Sequence, residues 1–88
     1  MTNDEIVARG HVAARYLGDD DLMSFFTELQ GDIKEALFNS TAAQLDERER
    51  LYSQHKGITD VLATMQLYAS RAEAIIEARQ VTIDPYDD

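Results

Sequence analysis

Apolar residues recur in alternating steps of four and three through the second half of the chain. This spacing is typical of an α-helix with one apolar stripe along its length. We call this stripe the long-helix seam, and only His55 in it is polar; it comprises Leu51, His55, Ile58, Leu62, Met65, Ala69, Ala72 and Ile76. The same spacing occurs earlier, at Leu22, Phe26, Leu29, Ile33 and Ala36. The pattern therefore predicts helices that pack against each other lengthwise.

Capping residues place the ends of three predicted helices. Thr2 and Glu5 fit a capping box before a first helix over about 3–17, and Gly18 would end it in left-handed backbone geometry. An aspartate of the run 19–21 would cap a second helix over about 21–38. A third helix would begin after a cap at Thr41 or Asp46 and continue to about residue 80.

These elements predict an all-α fold in which a long C-terminal helix folds back against two shorter ones as an antiparallel helical hairpin or bundle. The second helix would lie on the first half of the long helix, and the first helix on its second half. Gly10 would mark a close helix approach or be simply tolerated in the helix. We expect one helical domain over 1–80 and an acidic, extended or disordered tail over 81–88, since Pro85 cannot continue a helix.

Size and charge narrow the classes of function. The chain has 88 residues, no cysteine and a net charge of −9, so neither disulfides nor a large core would stabilise it. We therefore expect association with itself or with another protein. The charge makes direct binding to nucleic acid or an anionic membrane unfavourable. The opening Met1–Glu5 has neither signal-peptide nor transit-peptide character, so we expect a cytoplasmic location.

Few residues could carry chemistry. The aspartate run 19–21 is the best metal candidate, but it lacks the alternating spacing of a calcium loop, and helix capping explains it. His55 could act as a catalytic base or as a pH-sensitive interface residue, although its place in the seam is typical of a partly buried core residue. We found no activated nucleophile and no phosphate-binding or dinucleotide-binding motif. We therefore expect no enzyme activity, no metal and no cofactor.

Aromatic residues beside the apolar stripes are the candidate interface residues. They are Phe25, Phe38, Tyr52 and Tyr68, together with Ile83 and Tyr86 of the tail. One intramolecular contact would not cover apolar flanks on both sides of a helix, and exposed aromatic patches often bind partners. The alternative is a wider core within a single molecule.

Three segments resemble a loose class of short helical proteins encoded by bacteriophages. They are Ala13–Asp19, an alanine-containing helix end with a Leu-Gly-Asp turn; Phe25–Leu37, a phenylalanine-containing helix; and Asp46–Tyr52, an acidic and arginine-rich turn before Leu-Tyr. The resemblance covers most of residues 4–76. It implies an accessory or structural role in virion assembly or packaging, in the host cytoplasm or the virion, and it assigns no catalytic residues.

The sequence therefore favours a non-enzymatic protein that assembles with itself or docks on a larger partner. One alternative is an acidic inhibitor that mimics DNA and occupies a basic groove, with acidic residues of the second helix on one exposed face. Another is a small-terminase-like component of DNA packaging, although that function requires a basic helix-turn-helix, which the sequence does not show.

Overall fold

Three helices make up the fold. The computed structural model describes residues 1–83, with side chains through residue 80. The helices are α1 (Asn3–Leu17), α2 (Asp20–Phe38) and α3 (Leu45–Ile83), and the described residues contain no strand. The predicted all-α class and the order of two short helices before a long one are confirmed.

The start of α1 follows the predicted capping box. The Thr2 hydroxyl accepts a hydrogen bond from the Glu5 amide at 3.2 Å, and the Glu5 carboxylate accepts one from the Thr2 amide at 3.3 Å. The predicted left-handed geometry of Gly18 is wrong, because this residue has φ −85° and ψ −1°. The helix is interrupted instead at Asp19, whose extended backbone (φ −87°, ψ 102°) redirects the chain at once into α2.

Asp19 is the residue that caps α2. Its carboxylate accepts a hydrogen bond from the Leu22 amide at 3.0 Å. The helix begins at Asp20, one position earlier than the sequence predicted. Asp20 and Asp21 therefore belong to the first helical turn, where negative charge interacts favourably with the helix dipole.

The two roles in this aspartate run can be separated by mutation. We expect Asp19→Ala to lower the free energy of unfolding by about 1 kcal/mol, because an amide of the first turn loses its acceptor. Asp20→Ala removes only an exposed dipole interaction and should cost about half as much or less. Urea unfolding of both variants beside the parent measures the difference. Equal losses would mean that Asp19 does not act as the cap.

A short turn precedes α3, and the helix continues further than predicted. The side-chain carbonyl of Gln44 accepts a hydrogen bond from the Thr41 amide at 2.9 Å, and the main-chain carbonyl of Gln44 accepts one from Arg48. The helix ends at Ile83 instead of about residue 80. Residues 81–83 contain neither glycine nor proline, so nothing in their sequence stops the helix there.

The two short helices lie end to end along α3 and run antiparallel to it. Asp4 near the start of α1 forms an ion pair with Arg79 of α3 at 2.6 Å. Ala13 of α1 lies beside Met65, while Phe26 and Ile33 of α2 line a common groove with residues 54–61 of α3. The predicted placement of both short helices along the long one is confirmed.

The long-helix seam is the contact surface of α3. Every one of its eight residues is buried or half-buried, and the side chain of Ala72 is almost completely enclosed. Leu29 and Ala36 are the exceptions in the α2 stripe: the sequence placed both in the inner face, but both are exposed. The buried residues within the described chain are Gly10, Ala13, Ile33, Leu51 and Ala72.

The resulting molecule is a rod with extents of 68 × 24 × 23 Å. Its radius of gyration is 19.1 Å, whereas a globular chain of this length has about 12 Å. A rod two helices thick has only one internal contact surface. Many large apolar side chains therefore remain exposed, and they are the candidates for a binding surface.

Candidate protein-binding surfaces

The predicted interface aromatics do not form one surface. Phe38 and Tyr52, exposed by 88% and 65%, lie at the end of the rod where α2 turns into α3. Phe25, exposed by 68%, lies near the middle of the rod. Tyr68 is half-buried on α3, and the Arg9 guanidinium covers its ring at 5.0 Å from the ring centre. The exposed apolar side chains therefore belong to two separate surfaces.

The first surface, which we call the turn-end cluster, consists of Leu37, Phe38, Leu45 and Tyr52. Leu37, Leu45 and Tyr52 line one shallow groove together with Arg48, Glu49 and Ser53. Phe38, next to Leu37, is the last residue of α2 and the most exposed large apolar side chain described. Apolar side chains surrounded by polar ones resemble the organisation of a small protein interface.

The second surface, the central face, consists of two grooves on the same side of the rod. One lies between α1 and α3 and includes Ala8, Val12 and Tyr68. The other lies between α2 and α3 and includes Leu29 and Val61. Helical spacing extends the apolar area to Tyr16, four residues after Val12, and to Phe25, four residues before Leu29.

The grooves belong to one face because they share a single stripe of α3. The stripe runs beside the long-helix seam in steps of three and four and comprises Gln54, Gly57, Val61, Thr64 and Tyr68. Val61 lies at its centre and is 49% exposed. The two grooves therefore follow one another along the same side of the rod.

Sequence reasoning missed four residues of the central face: Val12, Tyr16, Leu29 and Val61. All four are exposed. A signal was present for Val12 and Tyr16, because Ala8, Val12 and Tyr16 recur every four residues beside the predicted inner face of α1. No comparable signal existed for Leu29, whose position fits the apolar stripe of α2 equally well.

Charge is distributed unevenly between the central face and the rest of the rod. The chain contains 17 acidic residues, yet none of the described residues that line the two grooves is Asp or Glu. Arg9 is the only charged residue among them. Depletion of charge is the compositional feature of an interface core, so this face is suited to contact with another apolar surface.

The ion pairs among the described residues lie outside these two grooves. Arg50 and Glu47 pair within α3, and their hydrogen bond lowers the pKa of the Glu47 carboxyl. Lys56 pairs with Asp60 at 3.0 Å, which raises the pKa of the Lys56 ammonium group. These groups are solvent-exposed, so the pairs are features of the surface of the rod.

Acidic residues of α2 form a stripe of their own. Asp21, Glu28, Asp32 and Glu35 are spaced by seven, four and three residues and therefore lie along one side of the helix. All four are exposed, and none of them takes part in an ion pair found among the described residues. This arrangement is the one that the DNA-mimic alternative requires.

The residues considered for metal binding or catalysis have structural positions in the fold. Asp19 caps α2, and His55 lies half-buried in the seam, where its carbonyl accepts a hydrogen bond from Thr59 at 3.0 Å. Within residues 1–83, no group of three or more His, Asp or Glu side chains is arranged to hold a metal ion. None of the three helices, as far as they are described, combines the length and apolar character needed to cross a membrane.

Two predicted interface residues cannot be placed on either surface. Tyr86 lies outside the described residues, as does the predicted acidic tail from residue 84 onward. The backbone of Ile83 forms the end of α3, and its side chain is outside the described part.

Comparison with known proteins gives no relative. No protein-family model matches the chain, and no match was found among the curated proteins or the solved structures.

Proposed function

We propose that this protein is a non-enzymatic assembly protein that acts by binding other proteins through its exposed apolar surfaces. The observation that carries the proposal is the exposure of large apolar side chains on a rod with a very small core. Phe25, Phe38 and Tyr52 are each more than 60% exposed. Exposed apolar patches of this kind mark interaction sites in a folded protein.

The turn-end cluster is the proposed docking site for a larger partner. It lies at one tip of the rod, so a partner can bind it without covering the central face. Its aromatic side chains suit the anchor role that Phe and Tyr have in interfaces. The resemblance to short phage-encoded proteins supports a partner in a virion-assembly or packaging complex, in the host cytoplasm or the virion.

The acidic stripe of α2 supports a second candidate function, which is occupation of a basic groove in the manner of a DNA mimic. Four carboxylates that form no ion pair among the described residues extend over about 21 Å of helix and would attract a basic surface. Binding of this kind weakens as salt screens the charges, whereas apolar docking does not. The two candidate functions therefore make opposite predictions about salt.

Substitution of the turn-end cluster tests the leading proposal. The doubly substituted chain, Phe38→Ser with Tyr52→Ser, should bind its partner from the native source with an affinity lower by about tenfold or more. A tenfold loss corresponds to about 1.4 kcal/mol of binding free energy. Both side chains are exposed, so the circular dichroism spectrum should keep its helical form. The variant Leu67→Ser, an exposed leucine elsewhere on α3, is the matched control.

The substitutions that reduce partner capture identify the surface that binds the partner. Undiminished capture by the doubly substituted chain would contradict docking at the turn end. Loss of capture in Glu28→Gln with Asp32→Asn, together with release by added salt, would favour the DNA-mimic function instead.

A further inference from the structure

We propose that the central face binds a second copy of this chain, giving an antiparallel dimer with its two-fold axis at Val61. The proposal rests on the protein-binding function proposed above and names the occupant of one of its two surfaces. In this dimer, α3 of one copy lies along α3 of the other, and α1 of each copy lies over α2 of its partner.

The spacing of the groove residues on α3 supports this symmetry. An isologous two-fold contact brings each position of a surface opposite another position of the same surface. Around Val61 the groove-lining residues of α3 occur at equal distances on both sides: Ile58 and Thr64 at three residues, Gly57 and Met65 at four, Gln54 and Tyr68 at seven. An antiparallel copy therefore places every lining residue opposite a lining residue.

The side chains at these positions allow close approach. Gly57 has no neighbouring atom within 4 Å of the position that a Cβ would occupy, so it leaves open space on the face. The symmetry places this space opposite Met65 of the second copy, and an unbranched thioether side chain adapts well to such gaps. Val61 meets its own counterpart at the axis.

Charge favours a second copy over a basic partner at this face. No acidic residue lines the two grooves, so the centre of a contact between two chains of net charge −9 contains no carboxylate. The antiparallel arrangement also separates the two α2 helices, each of which has five acidic residues and one lysine, net −4. Arg9 of one copy instead comes near α2 of the other, which carries Glu28 and Asp32.

The available area is sufficient for a specific dimer of modest affinity. The exposed apolar side chains of the central face contribute on the order of 400 Å² per copy. With the groove walls, two copies bury on the order of 1,000–1,300 Å², at the low end for a specific interface. We therefore expect a dissociation constant of about 1–100 µM. Added salt should tighten the dimer, because it screens the repulsion between the acidic chains.

One valine and one leucine with equal exposure provide matched substitution sites for a test of the dimer. Val61 and Leu67 are both 49% exposed on α3, but they lie about 120° apart around the helix. Light scattering from about 1 to 300 µM should show the parent rising from 9.9 kDa toward twice that mass. Val61→Asp should raise the dissociation constant at least about 100-fold, because it places two carboxylates face to face. Leu67→Asp should change it less than about threefold.

Cysteine cross-linking tests the position of the axis. The chain has no cysteine, so Val61→Cys introduces a unique thiol. Thiols on a two-fold axis reach the Cα separation that a disulfide needs, about 4.4–6.8 Å, so this variant should cross-link rapidly under mild oxidation. Leu67→Cys should cross-link at least about tenfold more slowly, since its thiol lies away from the contact.

Several outcomes would overturn the dimer. A parent mass of 9.9 kDa at every concentration, a dimer unaffected by Val61→Asp, or equal cross-linking of the two cysteine variants would each do so. Partner capture that depends on Val61 in a monomeric parent would assign the central face to a different protein. The proposed function is tested separately, because Phe38 and Tyr52 lie outside the central face.

Discussion

Leu51→Asp is expected to unfold the chain at room temperature. Leu51 is only 6% exposed and belongs to the small set of buried residues that hold α3 to its neighbours. An aspartate there would place an unpaired carboxylate in the contact, at a cost of several kcal/mol. Small domains have about 5–10 kcal/mol of stability, and this rod has a core of only a few residues. Loss of most of the helical circular dichroism signal at pH 7 is the expected result.

Leu67→Asp is the matched control for this substitution. It makes the same chemical change on the same helix at a residue that is 49% exposed. We expect a change in unfolding free energy of no more than about 0.5 kcal/mol, because a surface carboxylate remains hydrated. A Leu51→Asp variant that melts at the parent temperature would show that the seam is not buried in solution.

The long helix could be read from the sequence because its seam is regular. All eight seam residues are buried or half-buried in the structure, including His55. The antiparallel placement of the short helices followed from length, since the two together are about as long as the long helix. Periodicity is reliable here because one face of each helix supplies nearly all of the buried area.

The junction between α1 and α2 could not be predicted as accurately, because several consecutive residues suit a helix end or a cap. Gly18 suits a left-handed helix end, and any of three consecutive aspartates suits a cap. In the structure, Asp19 serves both purposes. Its extended backbone ends α1, and its side chain caps α2. Glycine then needs no positive φ, and α2 can begin without an intervening loop.

The binding surfaces were only partly predictable. Phe25, Phe38 and Tyr52 stood out as aromatics beside an apolar stripe, and all three are exposed. Their division into a turn-end cluster and a central face depends on how the helices pair, which spacing along one helix does not show. Val61 had no distinctive sequence signal, since a valine beside a seam is common in a helix core as well.

The shape of the rod and the position of its apolar surfaces have a common cause. Gly10, Ala13 and Ala72 are small, so α1 lies close against α3 and leaves little buried volume between them. Larger side chains such as Val12 and Tyr16 are then displaced to the flank, where they contribute to the central face. Small residues at the contact thus give both a thin core and an apolar exterior.

Gly10→Ala is expected to destabilise the protein, although alanine normally stabilises a helix. An alanine in a helix interior gains about 1 kcal/mol over glycine. At Gly10, however, the added Cβ would collide with the side chain of Ala72 and lie 2.5 Å from the carbonyl oxygen of Tyr68. A backbone carbonyl cannot move aside as a flexible side chain can, so α1 must shift away from α3. Overpacking of this kind costs about 1–3 kcal/mol and weakens the whole contact.

Gly31→Ala provides the comparison that isolates this close approach. Gly31 is also inside a helix, but no atom lies within 4 Å of the position of its added Cβ. We expect Gly31→Ala to raise the melting temperature by several degrees and Gly10→Ala to lower it by about 10 °C, as differential scanning calorimetry would measure. Opposite signs for one substitution in two helices follow only if α1 and α3 are in contact at Gly10. Stabilisation by both alanines would mean that α1 lies further from α3 than the structure places it.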